Sequence, residues 1–316
     1  MLKIKLICMI KKKIVIATGG TGGHVFPAYS LADHLKNENY KVIITSDERG
    51  LSYLKKYNDL DLRKIPSSPL IKKNIFKIIL SLLIIIYSII KSFFFLLFNR
   101  PSVILGMGGY SSFPVCIAAS ILRIKFVIYE NNLILGKANK YLLPFAKKIL
   151  VSYGDLEGIS RKYKHKVCEI GNIVRKDIID FNSSSTNNLT FENMRILVLG
   201  GSQAAKIFGD ELPEIFIKLK NFKVPIKVFQ QCQKAQSQQI SNLYQRHDVD
   251  HEIFNFTDKI IQYYSKVNLV ITRSGASVLG ELINLKIPFI SIPFPSSAEN
   301  HQYKNAEFYR NKRLGF

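Results

Sequence analysis

Thr18-Gly19-Gly20-Thr21-Gly22-Gly23-His24 is the stretch on which the reading of this chain turns. An apolar run with strand composition, Lys13 to Ala17, precedes it, and Val25-Phe26-Pro27-Ala28 follows as the opening of a helix. Four glycines in six positions at a strand-to-helix turn let backbone approach a ligand closely and aim N–H groups at an anion. A phosphate or pyrophosphate site is the functional reading; a tight turn without ligand is the bland one. Spacing excludes the two commonest nucleotide motifs. A G-x-G-x-x-G fingerprint from Gly20 needs glycine where Val25 stands, and from Gly19 it needs glycine where Thr21 stands. A Walker-type loop needs Lys and then Ser or Thr after its last glycine, where His24 and Val25 stand.

Outward from this loop the chain repeats one grammar. Ala28 to Asn37 reads as a helix and Lys41 to Thr45 as a second strand, the start of a parallel α/β sheet. Val103 to Leu105 is another buried strand, ending in Gly106-Met107-Gly108-Gly109-Tyr110, and Pro114 starts the helix after it. Lys125 to Tyr129 is a strand followed by Glu130-Asn131-Asn132, polar residues where open α/β sheets place their ligands; a helix-capping carboxylate is the alternative for Glu130. Lys148 to Ser152 and Val167 to Ile170 complete the first half, and Gly171-Asn172-Ile173-Val174-Arg175 follows. The polar run Asp180 to Asn188 has linker composition and marks a boundary nearby.

The second half restarts with a strand, Arg195 to Leu199, and the turn Gly200-Gly201-Ser202-Gln203. Ile226 to Gln230 and Leu269 to Thr272 are strands, the latter running through Arg273-Ser274-Gly275-Ala276-Ser277 into a helix that carries Glu281. There, N–H groups at the helix start suit a phosphate and Glu281 suits both ribose hydroxyls. Pro288 to Pro293 is the next strand, and Glu299-Asn300-His301-Gln302 precedes a final helix. The fold class expected is therefore α/β, two doubly wound domains, 1–172 and 173–316, facing across a cleft that suits a nucleotide diphosphate.

The 316 residues suffice for two domains of ordinary size. Cys8, Cys116, Cys168 and Cys232 form no CxxC pair, which argues against a disulfide framework or zinc knuckle and for a reducing compartment. His247 and His251 are spaced to share a helical face, but with no third ligand nearby they read as a surface pair. The net charge of +22 admits a nucleic acid, an anionic membrane or nucleotide-like substrate, or plain lysine bias. No RNP-type strand, zinc finger or basic-region helix supports the first. Met1 to Cys8 lacks the length and cleavage signature of a signal peptide, and Met9 is a candidate natural start.

Ile75 to Phe98 carries only Lys77 and Lys91 as charges and is long enough to span a bilayer. On a helical projection Lys77, Ser81, Ser88, Lys91, Ser92 and Asn99 form one narrow polar stripe, leaving more apolar surface than one core needs, with Lys72, Lys73 and Arg100 flanking it. An interfacial helix is expected; a buried core helix and a span are the alternatives, and a single span would put strands of one sheet on opposite sides.

These motifs, with Asn300-His301-Gln302-Tyr303, resemble the MurG family of bacterial glycosyltransferases (GT-B fold, family 28 type) from about residue 12 onward. The resemblance implies inverting transfer of N-acetylglucosamine (GlcNAc) from UDP-GlcNAc to the 4-hydroxyl of MurNAc in undecaprenyl-pyrophosphoryl-MurNAc-pentapeptide, lipid I. It implies no cofactor, no metal, and peripheral attachment to the cytoplasmic face of an anionic bacterial inner membrane. It puts Thr21, Gly22 and Gly23 near donor sugar and diphosphate, with Asn132, Arg175, Ser202 and Gln302 on other donor contacts. Arg273, Ser274, Gly275, Ala276, Ser277, Val278, Leu279, Gly280 and Glu281 hold phosphate and ribose, and Thr257 aligns loosely with a uracil contact. His24, Tyr110, Glu130 and Asn139 fall on the acceptor side; His24 is the candidate general base or acceptor-orienting group, or else a lock on the glycine loop. Three departures stand out: Ala204 for a usual glycine, Ile173 for a usual proline, and an end at Phe316 where relatives continue, as a fragment or truncated product would. Another UDP-sugar transferase or epimerase of this architecture, and a non-catalytic membrane-associated UDP-sugar-binding protein, are the competing functions.

Overall fold

Strand residues of alternating destination set the layers of the first half. In β1 (Lys13–Ala17), Val15 and Ala17 enter one apolar cluster while Ile14 and Ile16 enter another, the pattern of a strand buried on both faces. The computed structural model describes residues 12–57, 59–68, 75–181, 194–201, 205–257 and 259–316. The chain divides into two compact units, Met1–Ile173 and Val174–Phe316.

In the first unit α1 (Gly22–Asn37), β2 (Lys41–Ser46), α2 (Glu48–Leu54), β3 (Asp61–Lys64), α3 (Ile75–Asn99) and β4 (Val103–Gly106) follow β1. Then come α4 (Gly109–Ile121), β5 (Phe126–Glu130), α5 (Lys137–Leu142), β6 (Ile149–Val151) and β7 (Val167–Glu169). The described strands form one parallel sheet, ordered β3-β2-β1-β4-β5-β6-β7, with Ile14 beside both Val42 and Val103. Helix α1 covers one face through Val25, Ala28 and Ala32; α4 covers the other through Val115, Ala118 and Ala119.

In the second unit the order is α6 (Lys176–Ile179), β8 (Met194–Leu199), α7 (Lys206–Asn221), β9 (Ile226–Gln231), α8 (Ser237–Arg246) and β10 (Asp250–Phe254). There follow α9 (Ile261–Tyr264), β11 (Leu269–Thr272), α10 (Ala276–Leu285), β12 (Phe289–Ser291) and α11 (His301–Asn311). The parallel sheet runs β10-β9-β8-β11-β12. Both units thus reverse winding between their first and fourth strands, β1 and β4 in one, β8 and β11 in the other. Crevices for ligands open at such points, beyond the carboxyl ends of the strands.

Several expectations shift. Helix α1 opens at Gly22, not Val25, and α4 at Gly109, not Pro114, so Pro27 and Pro114 both lie inside helices. Each is the sixth helical residue, where proline forfeits a single backbone bond to the carbonyl four residues back. His247 ends α8 and His251 lies on β10, so they share no helical face; His251 instead bonds Ser241 Oγ at 2.9 Å. Lys72, Lys73, Ser202, Ala204, the candidate start Met9 and the run 182–193 lie outside the described residues.

Helix α3 is turned opposite to an ordinary surface helix. Its buried residues are Ser81, Ser88, Ser92 and Leu96, while Leu83, Ile86 and Ile90 are 59%, 53% and 51% exposed. Small serines let it lie against α4. Among the described residues it is the one helix long and apolar enough to cross a membrane.

Candidate active site

In the first unit the glycine loop is shaped by side chains outside it. A Cβ on Gly19 would fall 2.3 Å from Ser111 Oγ and 2.8 Å from Asp47 Oδ1, so only glycine fits there. Asp47 Oδ1 accepts the N–H groups of Gly20 at 3.0 Å and Gly50 at 2.8 Å, and Oδ2 accepts Ser67 Oγ at 3.0 Å. Burial pushes the Asp47 carboxyl up, but these bonds together with Ser111 outweigh it and hold the acid below its usual range. Thr21 is extended at the N-cap of α1, and its side chain caps nothing. Gly22, Gly23 and His24 form the first turn; the His24 N–H bonds the Thr21 carbonyl at 3.1 Å, while those of Gly22 and Gly23 precede the first carbonyl the helix offers.

Two side chains grip the peptide carbonyls on either side of the His24 Cα. Asn131 Nδ2 donates to the Gly23 carbonyl at 3.2 Å, and Thr18 Oγ1 donates to that of His24 at 2.9 Å. The imidazole lies on the Gly108–Gly109 backbone: a Cβ on Gly108 would meet His24 Cε1 at 3.3 Å and Asn139 Nδ2 at 3.5 Å. Both glycines have positive φ, 85° and 73°. Tyr110, beside them in the first turn of α4, is about half exposed.

Glu130, at the end of β5, is buried with four hydrogen bonds. Oε1 accepts Asn132 N at 3.1 Å and Asn132 Nδ2 at 3.0 Å; Oε2 accepts Gly136 N and Asn139 Nδ2, each at 2.9 Å. Gly136 is the residue before α5, so Glu130 does cap a helix while also orienting Asn132 and Asn139. Among the described residues the buried Asn139 Oδ1 has no hydrogen-bond partner. Ile173, where the resemblance expects proline, uses the N–H a proline would lack to bond Tyr129 Oη at 3.1 Å.

In the second unit α10 starts at the reversal point. Its N-cap, Gly275, is extended and offers no side chain; Ser274 is fully buried, and its Oγ has no partner among the described residues. Two turns on, Glu281 Oε1 accepts Arg175 Nε and Nη2, both at 3.0 Å, while Oε2 accepts Tyr264 Oη at 3.0 Å. Burial pushes the Glu281 carboxyl up, against the pull of Arg175 and Tyr264, and holds Tyr264 well above the usual phenol range. Ala276, Leu279 and Gly280 are buried, and Ser277 and Val278 half-buried, on the same helix.

Arg273 also has a structural task. Its Nη1 donates to the carbonyls of Ile292 at 3.2 Å and Pro293 at 3.0 Å, and the guanidinium lies over Phe208 and Phe294, so it ties β11 to the end of β12. Gln302 Oε1 accepts Phe294 N at 2.9 Å, and Thr257 Oγ1 accepts Lys259 N at 3.0 Å.

The structure thus assembles Thr21, Gly22, Gly23, His24, Tyr110, Glu130, Asn132 and Asn139 in the first unit, and Arg175 with Glu281 in the second. Asp47, Thr18, Asn131 and Tyr264, which sequence reasoning did not single out as site residues, hold the groups around them by hydrogen bonds. Asp47 had a signal, an acid directly after a strand and before a helix, where N-caps sit. Cys116 is fully buried, and burial pushes its thiol up to about 12, which disfavours the thiolate. Among the described residues no three His, Cys, Asp or Glu side chains converge as a metal site would need.

Two parallel-sheet units of one strand order, each with glycine turns at its reversal point, define the GT-B class of glycosyltransferases. Residues 14–151 match the glycosyltransferase family 28 N-terminal domain and residues 195–315 its C-terminal domain. The chain belongs to glycosyltransferase family 28. A Pelagibacter ubique relative, named UDP-N-acetylglucosamine--N-acetylmuramyl-(pentapeptide) pyrophosphoryl-undecaprenol N-acetylglucosamine transferase, is 37% identical over 97% of this chain and 84% of its own length. A Rickettsia canadensis relative of the same name is 37% identical over 96% and 85%. The crystal structure of Acinetobacter baumannii MurG matches the fold with a TM-score of 0.74 at 23% identity, covering 96% of this chain and 84% of that one.

Proposed function

We propose that this chain transfers GlcNAc from UDP-GlcNAc to the 4-hydroxyl of MurNAc in undecaprenyl-pyrophosphoryl-MurNAc-pentapeptide. The observation that carries the reading is that relatives named for this transfer match through both units, 96–97% of the chain. The second unit holds the donor: N–H groups opening α10 meet the diphosphate, and Glu281 receives the ribose on the lone pair of Oε2 that Tyr264 leaves. Diphosphate charge is stabilised by backbone dipoles as it develops. In the first unit the acceptor lies near Tyr110 and Asn139, and Thr21, Gly22 and Gly23 meet the donor's sugar and phosphate. The acceptor oxygen bonds to C1 of GlcNAc, the bond from C1 to the β-phosphate oxygen breaks, and UDP leaves with the electron pair. His24 takes the acceptor's proton and returns it to solvent. Glu130, with four bonds to Asn132, Gly136 and Asn139, positions rather than transfers.

The exposed apolar face of α3 supports a seat in the interface of the cytoplasmic leaflet. To test transfer, the protein is incubated with labelled UDP-GlcNAc and a lipid I analogue. Labelled disaccharide-lipid is expected; UDP-GlcNAc bound without product would sink the reading.

A further inference from the structure

Proline at the sixth position of α1 has a chemical consequence. A helix would normally satisfy the Gly23 carbonyl with the N–H of residue 27, and Pro27 has none. Asn131, 5% exposed at the end of β5, donates its Nδ2 to that carbonyl from outside the helix. Its amide cannot flip without loss, because its Oδ1 accepts Asn132 Nδ2 at 3.0 Å, which itself bonds Glu130 Oε1. A continuous hydrogen-bonded path therefore runs from Glu130 through Asn132 and Asn131 to the Gly23–His24 peptide. Thr18 holds the carbonyl on the other side of His24.

We propose that Asn131 is a positioning residue for His24: it supplies the donor that Pro27 withholds, and so sets the imidazole on the Gly108–Gly109 backbone beside Asn139. Its kinetic consequence rests on the transfer reading above; its geometric consequence does not. Removing the Asn131 amide takes a donor from the Gly23 carbonyl while the N–H of the same peptide stays on the Thr21 carbonyl at 3.1 Å, so the peptide tilts about that bond and shifts the ring that the His24 Cα carries. A misplaced proton acceptor lowers turnover more than it weakens donor binding, since the second unit supplies most of the donor contacts and only the Thr21–Gly23 turn comes from the first.

The test is a cycle of Asn131→Ala, Pro27→Ala and the double variant. Pro27→Ala restores an N–H within the helix, so the second substitution repairs what the first breaks. Expected is a fall in kcat of about ten- to a hundredfold in Asn131→Ala, larger than the accompanying rise in KM for UDP-GlcNAc. Pro27→Ala alone has little effect, and the double variant regains most of the lost rate. Asn131→Asp, which keeps the shape but loses the donor, behaves like Asn131→Ala. In parallel, the His24 ring signal is followed by NMR in protein labelled at histidine Cε1, identified by its loss in His24→Ala. It moves in Asn131→Ala and returns in the double variant. An unmoved His24 signal in Asn131→Ala, or a double variant worse than Asn131→Ala, overturns the proposal. If the unmodified chain forms no disaccharide while the ring signal follows the cycle, the transfer reading falls and the positioning stands.

Discussion

Asp47 is an acid whose charge the fold uses. Its folded-state value lies below the unfolded one of about 3.9, so its contribution is present above that pH and is lost as pH falls through the folded value. Unfolding of Asp47→Asn and the unmodified chain should therefore differ most near neutrality and converge as pH falls below the folded value; a gap that stays constant with pH would mean that charge plays no part. Glu281 and Arg175 make the opposite kind of pair, both largely buried, 13% and 15% exposed. Glu281→Ala strands a buried guanidinium and is expected to destabilise by about 3–5 kcal/mol in denaturant unfolding. Replacing both with Met should restore most of that stability but not UDP binding, because packing replaces an ion pair while nothing apolar accepts a ribose hydroxyl.

Helix α3 shows what one element can hide. Its serine stripe was legible in the sequence, but not that the stripe faces inward. Side-chain size decides it: Ser81, Ser88 and Ser92 are small enough to let α3 approach α4, and among the described residues no helix covers the opposite, greasier side. Substitution should run against habit. Ser88→Leu or Ser92→Leu overpacks that seam and costs about 1–3 kcal/mol, while Leu83→Ser with Ile86→Ser and Ile90→Ser barely changes stability in the same unfolding measurement. The starts of α1 and α4 were misread for a related reason. Proline is a strong mark of a first turn, and nothing local reveals that a carbonyl it strands, such as that of Gly23, finds a donor on a strand a hundred residues away.

At the scale of the whole molecule, the proposed membrane seat predicts that the net charge of +22 acts beside the apolar face of α3. Sedimentation with anionic vesicles should capture the protein, less so at high salt, which screens lysines but not apolar contact. The triple serine variant of α3 should lose capture at every salt concentration; unchanged capture would remove α3 as the anchor. The apolar strands that form the centre of each sheet, β1, β4, β5, β8, β9 and β11, were readable because burial on both faces demands continuous apolar runs. The polar edge strands β3 and β10 were not, since an edge facing water carries no such demand. By itself, then, the sequence determined two parallel α/β units and the glycine turns at their strand ends, because periodicity and backbone freedom are local properties. Only the tertiary structure decided which side chains hold those turns, Asp47 on Gly20 and Asn131 on Gly23, and that Tyr264 bonds Glu281. Hydrogen bonds between residues far apart in the chain depend on register and packing that no local pattern encodes.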